Sequence, residues 1–173
     1  ATKLCSDKLF VSANNIIGKK NIRFSVVRYG NVMMSRGSVI PIFINDKKKG
    51  ILKITDKRMT RFNITLSQGV KFVLNALENC LGQEIFVPKL PSYNILDLAK
   101  AVSKNAKIIF TGIRQGEKLH EEMITISDSF NTIENKDYYI ILPGNLRNKN
   151  VYLKKFKAKQ VKETFSYNSL DNL

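Results

Sequence analysis

The run Gly112-Ile113-Arg114-Gln115-Gly116-Glu117-Lys118-Leu119-His120-Glu121 strings a guanidinium, a carboxylate and an ammonium onto a loop hinged by two glycines. That set suits a phosphate-bearing, hydroxyl-rich ligand, because a planar Arg forks onto a phosphate or a base edge and a carboxylate accepts from sugar hydroxyls. Taken alone, the run reads better as a solvated loop, with Glu117 in the first turn of a following helix where it complements the dipole. Two further segments carry related chemistry. From Phe24 to Ser38 a short apolar run gives way abruptly to Gly30, Asn31, Ser35 and Arg36. A buried parallel strand delivering a polar loop at its carboxyl end reads this way, and ligands of doubly wound sheets sit at such ends. Thr55-Asp56-Lys57-Arg58-Met59-Thr60-Arg61-Phe62 reads as a basic turn between a strand-like segment and a periodic helix. Three such loops in one chain point to a shared site.

Regular elements must hold these loops. Thr2 to Ile17 places Leu4, Leu9, Phe10, Ala13 and Ile17 at helical intervals, with Gly18 as a stop, and sets Lys3 on the first turn. Arg23 to Arg28 reads as a strand, Ser38 to Lys48 as a helix that tolerates Pro41 in its first turn, and Ile51 to Thr55 as a strand. Leu66 to Leu81 repeats Val70, Val73, Leu74 and Leu77 on one face and is followed by Gly82. Strands at Glu84 to Val87, Ala106 to Thr111 and Tyr138 to Leu142, and helices at Asn94 to Val102 and Glu117 to Ile124, continue an α/β alternation. Beyond Pro143 the chain is a basic, Asn-rich tail to which the pattern assigns no structure.

Composition narrows the function classes. The 173 residues are 43% hydrophobic, enough for a domain-sized core, and carry a net charge of +15. The lysines are scattered, and the densest groups, Lys47 to Lys49 and Lys154 to Lys159, fall at a helix end and in the tail. This pattern argues against specific nucleic-acid binding, which needs a basic face. No run approaches the roughly 18 apolar residues of a membrane span, and no charged-then-apolar leader opens the chain, so a cytoplasmic protein is expected. Cys5 and Cys80 lack CxxC spacing and a nearby His, so neither a disulfide nor a metal site is expected.

The segments ATKLCSDKLF, RYGNV, SRGSV, RMTRF and GEKLHE, in that order, give a family resemblance from Ala1 to about Pro143. The chain resembles the C-terminal half of an extended short-chain dehydrogenase/reductase. More narrowly, it resembles the bacterial inverting UDP-N-acetylglucosamine 4,6-dehydratases of polysaccharide biosynthesis, which open the route to pseudaminic acid. The resemblance implies an α/β fold, the C-terminal part of a Rossmann-like NAD(P)-binding domain interwoven with a smaller substrate lobe. Residues 1–37 and 61–87 would belong to the Rossmann half, 38–60 and 88–126 to the substrate lobe, and 127–173 to a last strand and the tail. In this family a Tyr lies four residues before the active-site Lys, and here the chain starts two residues before Lys3. No G-x-G-x-x-G occurs in the sequence. A fragment that is inactive alone is therefore expected.

The roles implied by the resemblance fall on named positions. Lys3 would act in catalysis, hydrogen-bonding the nicotinamide ribose of NADP and lowering the pKa of the family's Tyr. Val32, Met33, Met34, Ser35 and Arg36 would line the nicotinamide end of the cofactor. Asn31 would contact the sugar nucleotide, Arg61 would neutralise the diphosphate, and Arg114 with Glu117 would grip the uridine and ribose of the UDP-sugar. The competing reading of Arg61 is a helix N-terminal arginine paired with Asp56. His120 reads as a packing or capping residue. A homo-oligomer is implied for the full-length protein. A retaining dehydratase or an epimerase of the superfamily, and a truncated non-catalytic nucleotide-binding remnant, stay open.

Overall fold

The computed structural model describes residues 2–144, 146 and 148–173. In chain order the elements begin α1 (Thr2–Ala13), β1 (Val26–Val27), β2 (Asn31–Val32), α2 (Val39–Lys47), β3 (Ile51–Ile54), β4 (Thr60–Ile64) and α3 (Leu66–Asn79). Next come β5 (Ile85–Pro88), β6 (Ser92–Asn94), α4 (Ile95–Val102), β7 (Lys107–Phe110) and β8 (Glu122–Ile124). The chain ends with α5 (Ile126–Ser129), β9 (Thr132–Glu134), β10 (Tyr138–Ile141), α6 (Lys149–Phe156), β11 (Lys159–Gln160) and β12 (Tyr167–Asn168). These elements divide between two compact units. The first comprises Ala1–Tyr29, Val70–Lys89 and Met123–Ser166, and the second Gly30–Gly69, Leu90–Glu122 and Tyr167–Leu173.

The first unit is built on a five-stranded sheet in the order β1-β5-β10-β9-β11, parallel between β1 and β5 and antiparallel from there on. Every residue of β5 is buried, as its unbroken apolar run requires. Phe86, Ile133, Ile140, Tyr152 and Phe156 form the centre of the core. Helix α1 stops four residues short of the expected Ile17, because the Asn14 side chain takes over from the backbone. Its Nδ2 donates to Val11 O at 2.9 Å and to Phe24 O at 2.8 Å, while its Oδ1 accepts Phe24 N at 2.9 Å. This Asn therefore ends the helix and anchors the strand segment that follows. Glu84 is fully buried and accepts from Ser25 Oγ, Leu81 N and Gly82 N, closing the turn after α3. The apolar stripe that periodicity finds on α1 faces solvent, with Leu9 69% exposed, as does that of α3, with Leu77 70% exposed.

In the second unit β4 is the central strand of a three-stranded sheet, parallel to β2 and antiparallel to β6. A separate parallel pair, β3 and β7, packs under α2 and α4 around Phe43, Leu52, Ile54, Met59, Ile95 and Ala99. Helix α4 starts at Asn94, whose side chain accepts Leu96 N.

The structure departs from the sequence reading in several places. The segment 30–37 packs in the second unit, where Asn31 and Val32 pair with Asn63 and Ile64 on β4. Residues 61–69 and 167–173 fall in that unit as well. The Thr55–Phe62 run leads into strand β4 before any helix. Glu117 to Ile124 is not helical: a turn precedes the short strand β8. The tail is structured, with Lys154 and Lys155 on α6 and Lys159 on β11.

Gly30 enters β2 with no room for a side chain, since a Cβ there would overlap Phe62 Cβ. Gly30→Ala is therefore expected to lower unfolding stability by about 1–3 kcal/mol, the scale of overpacking, as measured by urea denaturation. An unchanged midpoint would show that the close approach carries no constraint.

Candidate functional site

Side chains along β4 alternate: Thr60, Phe62 and Ile64 are buried, while Arg61 and Asn63 lie on the other face. Register then adds the neighbours. Asn31 on β2 stands opposite Asn63, and Tyr93 on β6 stands opposite Arg61. One face of this sheet thus presents Asn31, Asn63, Arg61 and Tyr93. Two of these residues, Asn31 and Arg61, were expected from sequence on separate loops. Asn63 and Tyr93 were not, although the alternation in Thr60–Ile64 carried the signal for Asn63.

Arg61 is the best-connected group on that face. Its Nη1 donates to Thr60 O at 2.7 Å and Leu119 O at 2.9 Å, its Nη2 to Lys118 O at 3.1 Å, and its Nε lies 3.9 Å from Glu121 Oε1. The pairing of Arg61 with Asp56 is not seen. Asp56 instead holds Arg58, at 2.8 Å to Nη2 and 2.8 Å to the backbone amide. The Arg58 side-chain hydrogen bond, followed by its backbone amide, holds the Asp56 carboxyl down at about 2. Glu121 also accepts Phe62 N at 3.1 Å. Burial, and then the Glu121 charge, hold the Tyr93 hydroxyl protonated beyond its usual range.

The Gly112–Glu121 loop leaves the carboxyl end of β7, and its start is tied to the Thr55 turn. Thr111 N donates to Ile54 O at 2.9 Å and Gly112 N to Thr55 O at 3.1 Å. At its tip Arg114 N donates to Glu117 Oε2 and Glu117 N to Arg114 O, both at 3.1 Å. This reciprocal turn leaves Arg114 exposed. His120 turns inward, with Nδ1 at 2.7 Å from Thr60 Oγ1. The structure therefore brings the Thr55–Phe62 and Gly112–Glu121 segments together within one unit.

The loop after β2 completes this set. Asn31, Ser35 and Arg36 are exposed and Val32 is half-buried. Met33 and Met34 are exposed, and Met34 adopts a left-handed φ of 60°. A non-glycine residue in that region costs on the order of 1–3 kcal/mol and is typical of ligand loops. Ser38 caps α2 in position, yet its buried Oγ makes no hydrogen bond. Lys3 belongs to the first unit, exposed on the first turn of α1. One turn further, Asp7 accepts from Arg28 Nε at 2.7 Å, and Arg28 also donates to Met123 O at 2.8 Å. Among the described residues, no group of three or more His, Cys, Asp and Glu side chains could hold a metal.

With these loops in place, comparison with known proteins is decisive. Residues 1–143 match the family described as polysaccharide biosynthesis protein. The chain belongs to that family. Over 99% of its length it is 51% identical to the UDP-N-acetylglucosamine 4,6-dehydratase (inverting) of Campylobacter jejuni subsp. jejuni serotype O:2, of which it covers 54%. It is 42% identical to the UDP-glucose 4-epimerase of Rickettsia canadensis over 81% of the chain and 42% of that protein. Among solved structures, Pen from Bacillus thuringiensis superposes with a TM-score of 0.85 at 35% identity, covering 99% of this chain and 52% of that one. The fold is the mixed α/β, Rossmann-like type of short-chain dehydrogenase/reductase dehydratases and epimerases. This member of the polysaccharide biosynthesis family spans about half the length of the relatives it matches.

Two measurements follow for this family member. Lysine cannot reproduce the fork of Arg61, so Arg61→Lys should speed amide exchange at Thr60, which donates to Leu119 O, by at least about tenfold. Unchanged exchange would show that Arg61 does not hold the loop. Asp56 is lowered from 3.8 to about 2, so the stability it contributes is present above pH 3.8 and lost as pH falls through about 2. Arg58→Ala should return its titration, followed by carboxyl NMR shifts, toward 3.8.

Proposed function

We propose that this chain supplies the nucleotide-sugar-binding part of an NADP-dependent UDP-N-acetylglucosamine 4,6-dehydratase that inverts at C5. The product, a 4-keto-6-deoxy sugar nucleotide, would feed surface-glycan synthesis of the pseudaminic acid type. The observation that carries this reading is that Arg61 on β4 binds the Gly112–Glu121 loop through Lys118 O and Leu119 O, while β2 sets Asn31 beside the same strand. The 51% identity with the Campylobacter jejuni dehydratase supports the substrate class. Identity with the Rickettsia canadensis 4-epimerase supports a second reading, UDP-hexose epimerisation, which uses the same nucleotide grip and differs in product.

Each residue then has a task. Arg114, exposed at the tip of its turn, meets the UDP moiety through charge-assisted hydrogen bonds, and Glu117 accepts from ribose hydroxyls with the carboxylate that also fixes the turn. Arg61 places positive charge beneath the diphosphate while its donors hold the loop. Asn31 offers an amide that donates and accepts toward the sugar. Bound NADP supplies reversible hydride acceptance. The residues after β2 fit such a group, because Ser35 and Arg36 present exposed donors beside the left-handed turn at Met34. Lys3 would orient the nicotinamide ribose and, by its charge, favour an ionised phenol nearby. Residues 1–37 and 61–87 are read as cofactor-binding, 38–60 and 88–126 as substrate-binding, and 127–173 as a last strand and tail. A cytoplasmic homo-oligomer fits this activity, and no helix among the described residues is long and apolar enough to cross a membrane.

Titration calorimetry of UDP and UDP-N-acetylglucosamine tests the reading. Both should bind, and Arg114→Ala should weaken them by on the order of 1.5–3 kcal/mol, at least tenfold, as expected for hydrogen bonds to a charged group. Absence of binding, or an unaffected Arg114→Ala, would refute it.

A further inference from the structure

The family match ends at residue 143, yet the last residues of the chain are built into the second unit. We propose that Tyr167–Asn172 is a clasp that positions the ligand loop, with Ser169 as its positioning residue. The clasp is anchored at one end by Tyr167, whose hydroxyl accepts Leu90 N at 2.7 Å and donates to Leu90 O at 3.1 Å while its ring packs on Phe62. At the other end Asn172 Nδ2 donates to Leu90 O and to Ser92 Oγ, both at 2.8 Å.

Between these anchors Ser169 is fully buried and reaches both the loop and β4. Its amide donates to Glu121 O at 2.8 Å and its Oγ accepts Glu121 N at 2.9 Å. The same Oγ donates to Thr60 O at 3.1 Å and lies 2.7 Å from Thr60 Oγ1, which in turn meets His120 Nδ1. A continuous polar chain therefore runs from His120 through Thr60 to Ser169 and back to Glu121. Alternation along β4 gives this chain its consequence. Arg61 grips Lys118 and Leu119 from one face of the strand, and Thr60 with Ser169 grips His120 and Glu121 from the other. Removing Ser169 Oγ deletes its bond to the Glu121 amide and cuts the polar chain at Thr60, while Arg61 still holds the other side of the loop base.

The ligand arm of this proposal rests on the nucleotide-sugar reading, but the amide-exchange arm does not. Ser169→Ala should speed exchange of the Glu121 amide at least tenfold and weaken UDP binding at least fivefold in calorimetry. Asn14→Ala, which removes the Phe24 anchor in the first unit, should lower Tm comparably yet leave UDP affinity within twofold. If Ser169→Ala does not fold, Thr60→Val breaks the same chain at its centre and should reproduce the exchange result. Equal loss of affinity in Ser169→Ala and Asn14→Ala, in step with Tm, would overturn the proposal, as would unchanged exchange at Glu121. Should the unsubstituted protein fail to bind UDP, the ligand reading falls, while exchange at Glu121 still decides the clasp.

Discussion

The Arg61 guanidinium donates to the carbonyl oxygens of Thr60, Lys118 and Leu119, joining a sheet strand to the far end of a loop nearly sixty residues away in sequence. Free loops with exposed cations lose ordering entropy when they bind, so a loop already fastened at its base binds at lower cost. Fastening also explains the backbone conformation. The carbonyls that an α-helix over Glu117–Ile124 would have used internally are turned toward Arg61 instead, and the chain continues as extended strand β8.

The remaining elements of the second unit serve that arrangement. Parallel pairing of β3 with β7 brings the Thr55 turn and the start of the Arg114 loop to the same sheet end. Parallel pairing of β2 with β4 brings Asn31 to Asn63, two residues from Arg61, and needs the bare backbone of Gly30 against Phe62. In the first unit, Arg28 ties α1 through Asp7 to the Met123 segment and so fixes the turn on which Lys3 stands.

Much of this was legible in the residues, and the failures have physical causes. Val39–Lys47, Leu66–Asn79 and Ile95–Val102 form helices where apolar spacing and caps place them. On α1 and α3 the periodic apolar face points to solvent, with Leu9 and Leu77 exposed. Periodicity reports a face that needs a partner, and it does not say whether this chain provides one. The strands β6, β9 and β12 have two or three residues each, too short for alternation to register. The resemblance singled out Arg61, but its engagement with backbone carbonyls depends on register across β4, and no local pattern encodes that. Tyr93 and Ser169 escaped for the same reason, since each gains its role from a residue distant in sequence.

The central claim is that the loops at 31–38, 55–62 and 111–121 form one nucleotide-sugar site. Hydrogen exchange with and without saturating UDP-N-acetylglucosamine tests it most directly. The account predicts ligand-dependent protection in residues 31–38 and 111–121 together, with the α2 and β10 amides unchanged. Protection confined to one of these loops, or appearing in the first unit alone, would contradict it.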